Sequence, residues 1–165
     1  MGQFDRTICD CCVCPMQCVI KQLVGQTDVL ISTPVSQEAN VTINSVENFI
    51  ADTDAGIYSI CNVTAVSSAT LGTSTTLKPV RQDKKGACSC CENPATNELN
   101  KLVNQNVAIE FITQVPGNVF QIPLEGTILK VGEGIVILNP ACGQNVGNPI
   151  AISTCQITRI EISST

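Results

Sequence analysis

The chain has 165 residues, of which 44% are apolar and only 14% are charged, and its formal net charge is -5. Binding of nucleic-acid phosphates needs clustered positive charge. The lysines and arginines cluster only at Lys78, Arg81, Lys84 and Lys85, and such a run is typical of a solvated linker. The charge distribution therefore excludes nucleic acid as a partner. The abundance of Val, Ile and Thr indicates a β-rich globular protein.

The first residues, MGQFDRTIC, lack the charged start and continuous apolar core of a secretory signal. No segment approaches the roughly 18 apolar residues that a membrane span needs. We therefore expect synthesis in a cytosol, without a signal peptide and with no membrane partner. The 11 cysteines are an unusual load for a protein that stays in a reducing compartment.

A cysteine-rich arm, residues 1–14, precedes the first predicted element. Pro15 suits the first turn of a helix, because a proline lacks the N–H that has no intrahelical partner there, and we expect this helix to end near Leu23. Val-, Ile- and Thr-rich runs between turn residues then predict five strands, at 29–33, 41–46, 49–52, 57–61 and 63–66.

The next part of the chain predicts a linker, residues 68–93, that lies outside both cores. It contains a Ser-, Thr- and Gly-rich stretch up to Thr76, the basic run through Lys85, and a Cys-x-Cys-Cys tag at 88–91. Asn93 is a good helix cap and Pro94 suits the first turn of a second helix, which we expect to end near Leu102. Five more strands are predicted at 107–112, 127–131, 135–138, 150–155 and 157–160.

The two halves of the chain repeat each other. Residues 9–26, CDCCVCPMQCVIKQLVGQ, align without a gap at an offset of 79 with residues 88–105, CSCCENPATNELNKLVNQ, and seven positions are identical. Residues 59–66, SICNVTAV, align at an offset of 94 with residues 153–160, STCQITRI. The 15 additional residues of the second copy fit two loops, around 115–118 and 139–143. A duplicated domain is predicted, with copies at 15–67 and 94–165.

Each copy resembles the Sm-like (SH3-type) barrels. The similarity lies in a short helix, the sequence LVGQ before a strand, a glycine-bounded strand, and a final strand pair of the form Cys-x-Val/Ile-Thr. In particular the copies resemble Sm-like domains of spore coat proteins in Bacillus-type bacteria, and the cysteine tags are similar to the N-terminal connectors of spore appendage subunits.

The resemblance implies an all-β fold, mainly β with short N-terminal helices, made of tandem five-stranded barrels. It also implies a place on the spore surface, in the coat, exosporium or an appendage, after synthesis in the mother-cell cytoplasm. The polar and basic loop residues of RNA-binding Sm proteins are missing here, so RNA binding is not implied.

Most of the cysteines are candidates for disulfides between subunits. Neighbouring cysteines cannot easily pair with each other, and a chain start can reach across an interface. A thiolate metal cluster and inert thiols remain as alternatives, whereas the absence of histidine disfavours Cys/His zinc sites and a catalytic cysteine. The candidates are Cys9, Cys11, Cys12, Cys14, Cys18, Cys88, Cys90, Cys91 and Cys142.

Two further cysteines, Cys61 and Cys155, end apolar strands and are expected to be buried, inert thiols. Cys142 lies in an inserted loop and is expected to be exposed. Oxidation of the cysteines after the protein is released from the cytosol would explain how a chain without a secretory signal can carry so many cysteines.

These features predict a structural subunit and no enzyme. The chain has no histidine, P-loop or Gly-x-Ser-x-Gly elbow, and its acidic residues are typical of solvated turns. Two similar domains place equivalent sheet edges at both ends, and such edges recruit further copies into a ring, sheet or filament. The expected partners are the chain itself and other spore coat proteins, with no cofactor. The alternative is a metal- or redox-active thiol binding module or an Sm-like adaptor.

Overall fold

A computed structural model describes residues 12–80, 92–114 and 120–163. Within them lie two helices, α1 (Val13–Lys21) and α2 (Glu92–Lys101). Short 3-10 turns, Ile60–Asn62 and Thr154–Gln156, precede the last strand of each half. The strands are β1 (Val29–Ser32), β2 (Gln37–Val41), β3 (Ile43–Glu47), β4 (Ile50–Thr53), β5 (Gly56–Ser59), β6 (Ala65–Ser67), β7 (Asn106–Phe111), β8 (Leu124–Gly132), β9 (Ile135–Pro140), β10 (Ile150–Ser153) and β11 (Ile157–Ile162).

Both helices form where the prolines predict them. Helix α1 buries Met16, Val19 and Ile20, which at spacings of three and four residues lie on one face. Helix α2 buries Thr96 and Leu99 in the same way. Neither helix has the length and apolar character needed to cross a membrane, among the residues that the structure describes.

The strands form two antiparallel sheets, which confirms the prediction of a mainly β fold. Eight strands follow the order β11-β7-β8-β9-β10-β6-β1-β2, and three follow the order β3-β4-β5. The described residues contain no closed barrel, so the expected pair of separate barrels differs from the structure. The physical reason is the antiparallel pairing of β6 with β10, which merges strands of the first segment (15–67) and the second segment (94–165) into one sheet.

Two hydrophobic cores lie on opposite faces of β9 and β10. Ile135, Ile137 and Ala151 belong to the core that contains Val19 and Ile20 of α1. The alternating residues of the same strands, Val136, Leu138, Ile150 and Ile152, belong to the core around Leu99, Phe111 and Phe120. Because both faces are covered, these strands are apolar at nearly every position.

The first half of the predicted linker packs on the protein, contrary to expectation. Leu71 is buried and Leu77 packs against the first core. The Gln22 amide donates to the Thr76 carbonyl and accepts from the Thr76 N–H, both at 2.9 Å. Residues 68–80 therefore belong to the folded body, and residues 81–91 lie outside the described part of the chain.

Candidate functional site

A disulfide between Cys12 and Cys155 joins the two segments. The bond links residues 143 apart in sequence, and their Cα atoms are 6.1 Å apart. Cys12 directly precedes α1 of the first segment, and Cys155 lies in the 3-10 turn between β10 and β11 of the second. The bond therefore reinforces covalently the place where β6 and β10 pair.

The disulfide lies in a buried polar centre. Cys12 is only 4% exposed, and its backbone N–H donates to Oε2 of Glu92 at 2.5 Å. Glu92, at the start of α2, is 1% exposed. The Cys155 N–H donates to Cys12 Sγ at 3.2 Å, and the hydroxyls of Thr96 and Thr154 hydrogen-bond at 2.9 Å. The starts of both helices thus meet at the turn that contains Cys155.

Among the described residues, Cys12, Cys155 and Glu92 form a group whose ligand atoms lie close enough together to hold a metal ion. The two cysteine sulfurs and a Glu92 carboxylate oxygen lie within 4.8 Å of one another. Two thiolates and a carboxylate are zinc ligands, but only deprotonated thiolates ligate, and a disulfide has none. The oxidised form seen in the structure therefore holds this centre together by the disulfide itself.

The predicted cysteine sites fall into three groups. Cys12, expected to link subunits, is bonded within the chain, and Cys155, expected to be an inert thiol, is its partner. Cys14 is also a disulfide cysteine. Cys18, Cys61 and Cys142 are free. The remaining candidates lie outside the described residues: Cys9, Cys11, Cys88, Cys90 and Cys91.

The free thiols differ in accessibility. Cys142 is exposed, as expected of a loop residue. Cys61 is also exposed, and the prediction that it is buried was wrong because it lies in a 3-10 turn beyond the end of β5 instead of in the strand. Cys18 is half-buried, and burial raises the pKa of its thiol, partly opposed by the charges of Lys78 and Lys21.

Within the described residues the eight-stranded sheet ends at β11 and β2, and the three-stranded sheet ends at β3 and β5. Strands β2 and β3 are separated by Thr42 alone, so the strands form a nearly continuous array that ends at β5 and at β11. Within the described residues, β5 pairs only with β4, and β11 pairs only with β7. We call β5 and β11 the outer edges.

The outer edges have different surfaces. On β5, Ile57 is 73% exposed and borders a cleft that Val35 and Tyr58 also line. Burial raises the pKa of the Tyr58 phenol, and the nearby carboxylates of Glu38 and Asp54 add to this. On β11, Ile162 is 58% exposed.

Polar pairs hold the side chains of β11 in place. Arg159 donates to Glu110 on the neighbouring strand β7 at 2.8 Å and forms an ion pair with Glu161 at 3.1 Å. The hydrogen bond from Arg159 to Glu110 and the two carboxylate charges raise the pKa of the Arg159 guanidinium. The β11 edge is therefore a mixed apolar and charged surface.

Comparison with known proteins identifies no relative of this chain. No protein-family model matches the sequence, and searches of the curated proteins and of the solved structures find no match either. The disulfide centre and the two outer edges are therefore the features from which a function can be inferred.

Proposed function

We propose that the chain is a structural subunit of a spore-surface layer or fibre, which self-assembles by pairing its two outer edges and is cross-linked by disulfides. The observation that carries the proposal is the antiparallel pairing of β6 with β10 inside the chain. If the chain is a tandem repeat, the counterparts of these two strands are β11 and β5, the outer edges.

The strand order supports a tandem repeat of a five-stranded unit. In the second segment the strands pair in the order β11-β7-β8-β9-β10, so the fifth strand lies beside the first. In the first segment the order is β6-β1-β2, continued by β3-β4-β5 after the bend at Thr42. If β2 and β3 together correspond to β8, the strands of the two segments pair in the same order.

Local hydrogen bonds support the same correspondence. After α1, the N–H of Gly25 donates to the Ile43 carbonyl at 2.8 Å, and after α2 the N–H of Asn104 donates to the Ile128 carbonyl at 2.8 Å. Gly25 and Asn104 are 79 residues apart, as the sequence repeat requires, and both adopt positive φ, 81° and 68°. Glycine and asparagine are the residues that tolerate this conformation best at a helix end.

The turns that precede the last strands are equivalent as well. The N–H of Ile60 donates to the Phe49 carbonyl at 2.9 Å, and the N–H of Thr154 donates to the Gly134 carbonyl at 3.0 Å. Ile60 and Thr154 are 94 residues apart, which is the second offset of the repeat. Two units of like topology, joined through β6 and β10, account for both observations.

The repeat specifies how two chains would pair. Inside the chain, Ala151 of β10 lies opposite Val66 of β6. At the offset of 94, Ile57 is the residue equivalent to Ala151, and Ile160 is the residue equivalent to Val66. We therefore expect Ile57 of one chain to lie opposite Ile160 of a neighbouring chain. The same shift converts the two adjoining pairs, Ile150 with Ser67 and Ile152 with Ala65, into Gly56 with Glu161 and Tyr58 with Arg159.

The chemistry of these predicted pairs is favourable. Two isoleucines face each other, and an arginine lies opposite a tyrosine, with which it can form a cation–π contact. Strand β5, with the sequence GIYS, contains no lysine or proline of the kind that protects an edge from pairing. Because β5 and β11 are different surfaces, their contact is head-to-tail and yields a closed ring or a growing filament.

The redox chemistry fits a surface location. A buried disulfide and many further cysteines are characteristic of proteins that function in an oxidising environment. The cysteine tags and the resemblance to Sm-like domains of spore coat proteins point to the spore as that environment. We propose other coat proteins as additional partners.

A proline at Ser59 tests the proposed pairing. The N–H of Ile60 points to β4, because it donates to Phe49, and successive N–H groups of a strand alternate in direction. The N–H of Ser59 therefore faces the outer edge, like that of Ser153, which donates to the Thr64 carbonyl of the first segment at 2.9 Å. The φ of Ser59 is -75°, which proline adopts without strain.

We expect Ser59→Pro to remain a monomer at concentrations where the unmodified chain assembles, as measured by size-exclusion chromatography with light scattering. Ser59→Ala is the matched control, because it removes the hydroxyl but keeps the N–H, and we expect it to assemble normally. Assembly of a folded Ser59→Pro variant to the size of the unmodified protein would refute pairing through β5.

A further inference from the structure

We propose that the Cys12–Cys155 centre is also a metal site: when the disulfide is reduced, the two thiolates and the carboxylate of Glu92 bind one zinc ion. The centre then alternates between a reduced form that holds zinc and the disulfide-bonded form. The inference is independent of edge pairing, because all three ligands belong to one chain.

The spacing of the three ligand atoms suits a zinc ion. Tetrahedral zinc with bonds of about 2.0–2.3 Å keeps its ligand atoms roughly 3.3–3.8 Å apart. The two cysteine sulfurs and one carboxylate oxygen of Glu92 all lie within 4.8 Å of one another. The Cα atoms of Cys12 and Cys155 are 6.1 Å apart, so rotation of the side chains can separate the reduced sulfurs around an ion.

The carboxylate of Glu92 is held in place by the fold. Glu92 is 1% exposed, and its Oε2 accepts the backbone N–H of Cys12 at 2.5 Å. Gly134, in the turn between β8 and β9, packs against the same oxygen, because a Cβ added at Gly134 would come within 2.9 Å of Oε2. A glycine at this position therefore leaves the room that the buried carboxylate occupies beside the sulfurs.

Hydrogen-bonding groups surround the sulfur of Cys12 as well. The Cys155 N–H donates to this sulfur at 3.2 Å, and the Thr154 hydroxyl lies 3.6 Å from it. Such groups around a ligand stabilise its charged form and orient it toward the metal. Two thiolates, a carboxylate and Zn²⁺ leave one net negative charge, against two in a zinc site of four cysteines. We assign the fourth position to water, with the hydroxyls of Thr96 and Thr154 as polar partners.

The exchange between the two forms balances. In a reducing compartment the cysteines are thiols, and zinc binding releases their two protons. In an oxidising compartment, one thiolate attacks a small-molecule disulfide, such as oxidised glutathione, and the second thiolate then attacks the resulting mixed disulfide. The protein disulfide forms, two small thiols leave after taking up two protons, and the zinc ion is released. Zinc thus joins the two segments before oxidation, and the disulfide joins them afterwards.

The test uses a full-length variant in which every cysteine except Cys12 and Cys155 is serine. It is reduced with a phosphine, freed of reductant, and titrated with Co²⁺ and then Zn²⁺ without oxygen. We expect one ion per chain, with the absorption bands of tetrahedral cobalt–thiolate coordination, and no binding to the oxidised form. Glu92→Gln should weaken binding by more than about tenfold. Glu98→Gln is the matched control on the same helix, because its side chain is 62% exposed, and it should bind normally.

A second measurement makes the result independent of how that variant folds. Zinc is counted in the reduced, unmodified chain, where other cysteines also bind zinc, so that the readout is a difference between variants. We expect Cys155→Ser and Glu92→Gln each to retain about one zinc ion fewer per chain than the unmodified protein and Glu98→Gln.

Three results would overturn the inference. They are metal binding that Glu92→Gln leaves unchanged, an equal loss in Glu98→Gln, and the same zinc content in the unmodified chain and in Cys155→Ser. None of them bears on edge pairing, which the light scattering of Ser59→Pro tests separately.

Discussion

Removal of the Cys12–Cys155 disulfide should destabilise the fold strongly. We expect the double variant Cys12→Ser/Cys155→Ser to lose about 3–5 kcal/mol of unfolding free energy. The bond closes a separation of 143 residues, for which the chain-entropy treatment gives about 5 kcal/mol. The lower figure allows for residual structure in the unfolded chain, which reduces the entropic stabilisation.

The loss is measurable by thermal and by urea unfolding. For a chain of this length, 1 kcal/mol corresponds to about 2–4 °C in Tm, so we expect Tm to fall by roughly 6–20 °C. Replacing both cysteines avoids an unpaired buried thiol that could exchange with other cysteines. The control is Cys142→Ser, whose exposed side chain should leave Tm unchanged.

Two results would refute this reasoning. One is a loss below 1 kcal/mol in the double variant, which would mean that the sheet pairing of β6 with β10 alone holds the segments together. The other is an equal loss in the Cys142→Ser control.

Three more predictions concern the folded chain. Ile137→Ala, in the first core, should cost about 2–5 kcal/mol in urea unfolding, and a loss below 1 kcal/mol would contradict its full burial. The N–H of Thr42 donates to the Asp54 carboxylate and holds its pKa below the ordinary 3.8. The ionised carboxylate therefore stabilises the fold above that pH, and this stabilisation is lost as the pH falls through the lower pKa of the folded state. Asp54→Ala should therefore unfold at lower urea than the unmodified chain at pH 7, by a difference that shrinks as the pH is lowered below 3.8, and a pH-independent difference would exclude this cause. Because burial raises its pKa, Cys18 should react with iodoacetamide more slowly than Cys142 at pH 7, as followed by mass spectrometry, and equal rates would contradict this.

Local patterns predicted most elements of the second segment. The boundaries of the strands expected at 107–112, 127–131 and 135–138 all lie within three residues of those of β7, β8 and β9. These strands are apolar on the faces that meet a core, which is the signal that sequence periodicity detects. The prolines located both helices, because Pro15 and Pro94 lie in the first turns of α1 and α2.

The polar edge of the first segment was harder to predict. Strand β2, with the sequence QEANV, exposes three consecutive residues, and Asn40 adopts a positive φ of 58°. No alternation of apolar residues marks such a strand, so the sequence predicted only a single strand at 41–46. The structure divides that stretch at Thr42 into the end of β2 and the start of β3.

The disulfide centre could not be predicted from local sequence. Cys12 and Cys155 meet only because β6 pairs with β10, a contact between residues about 85 apart that leaves no local signal. Cysteine spacing gave the candidates but not the connectivity, which many pairings would satisfy. The repeat offsets match Cys155 with Cys61 and Cys12 with Cys91, which relates equivalent positions but does not say which cysteines bond to each other.

Head-to-tail pairing of the outer edges is tested most directly by cryo-electron microscopy of the oxidised, assembled protein. The account predicts antiparallel pairing of β5 with β11 of the next chain, in the register that sets Ile57 opposite Ile160. Monomeric particles at concentrations above those used for the light-scattering assay, or assemblies joined through surfaces other than β5 and β11, would contradict it.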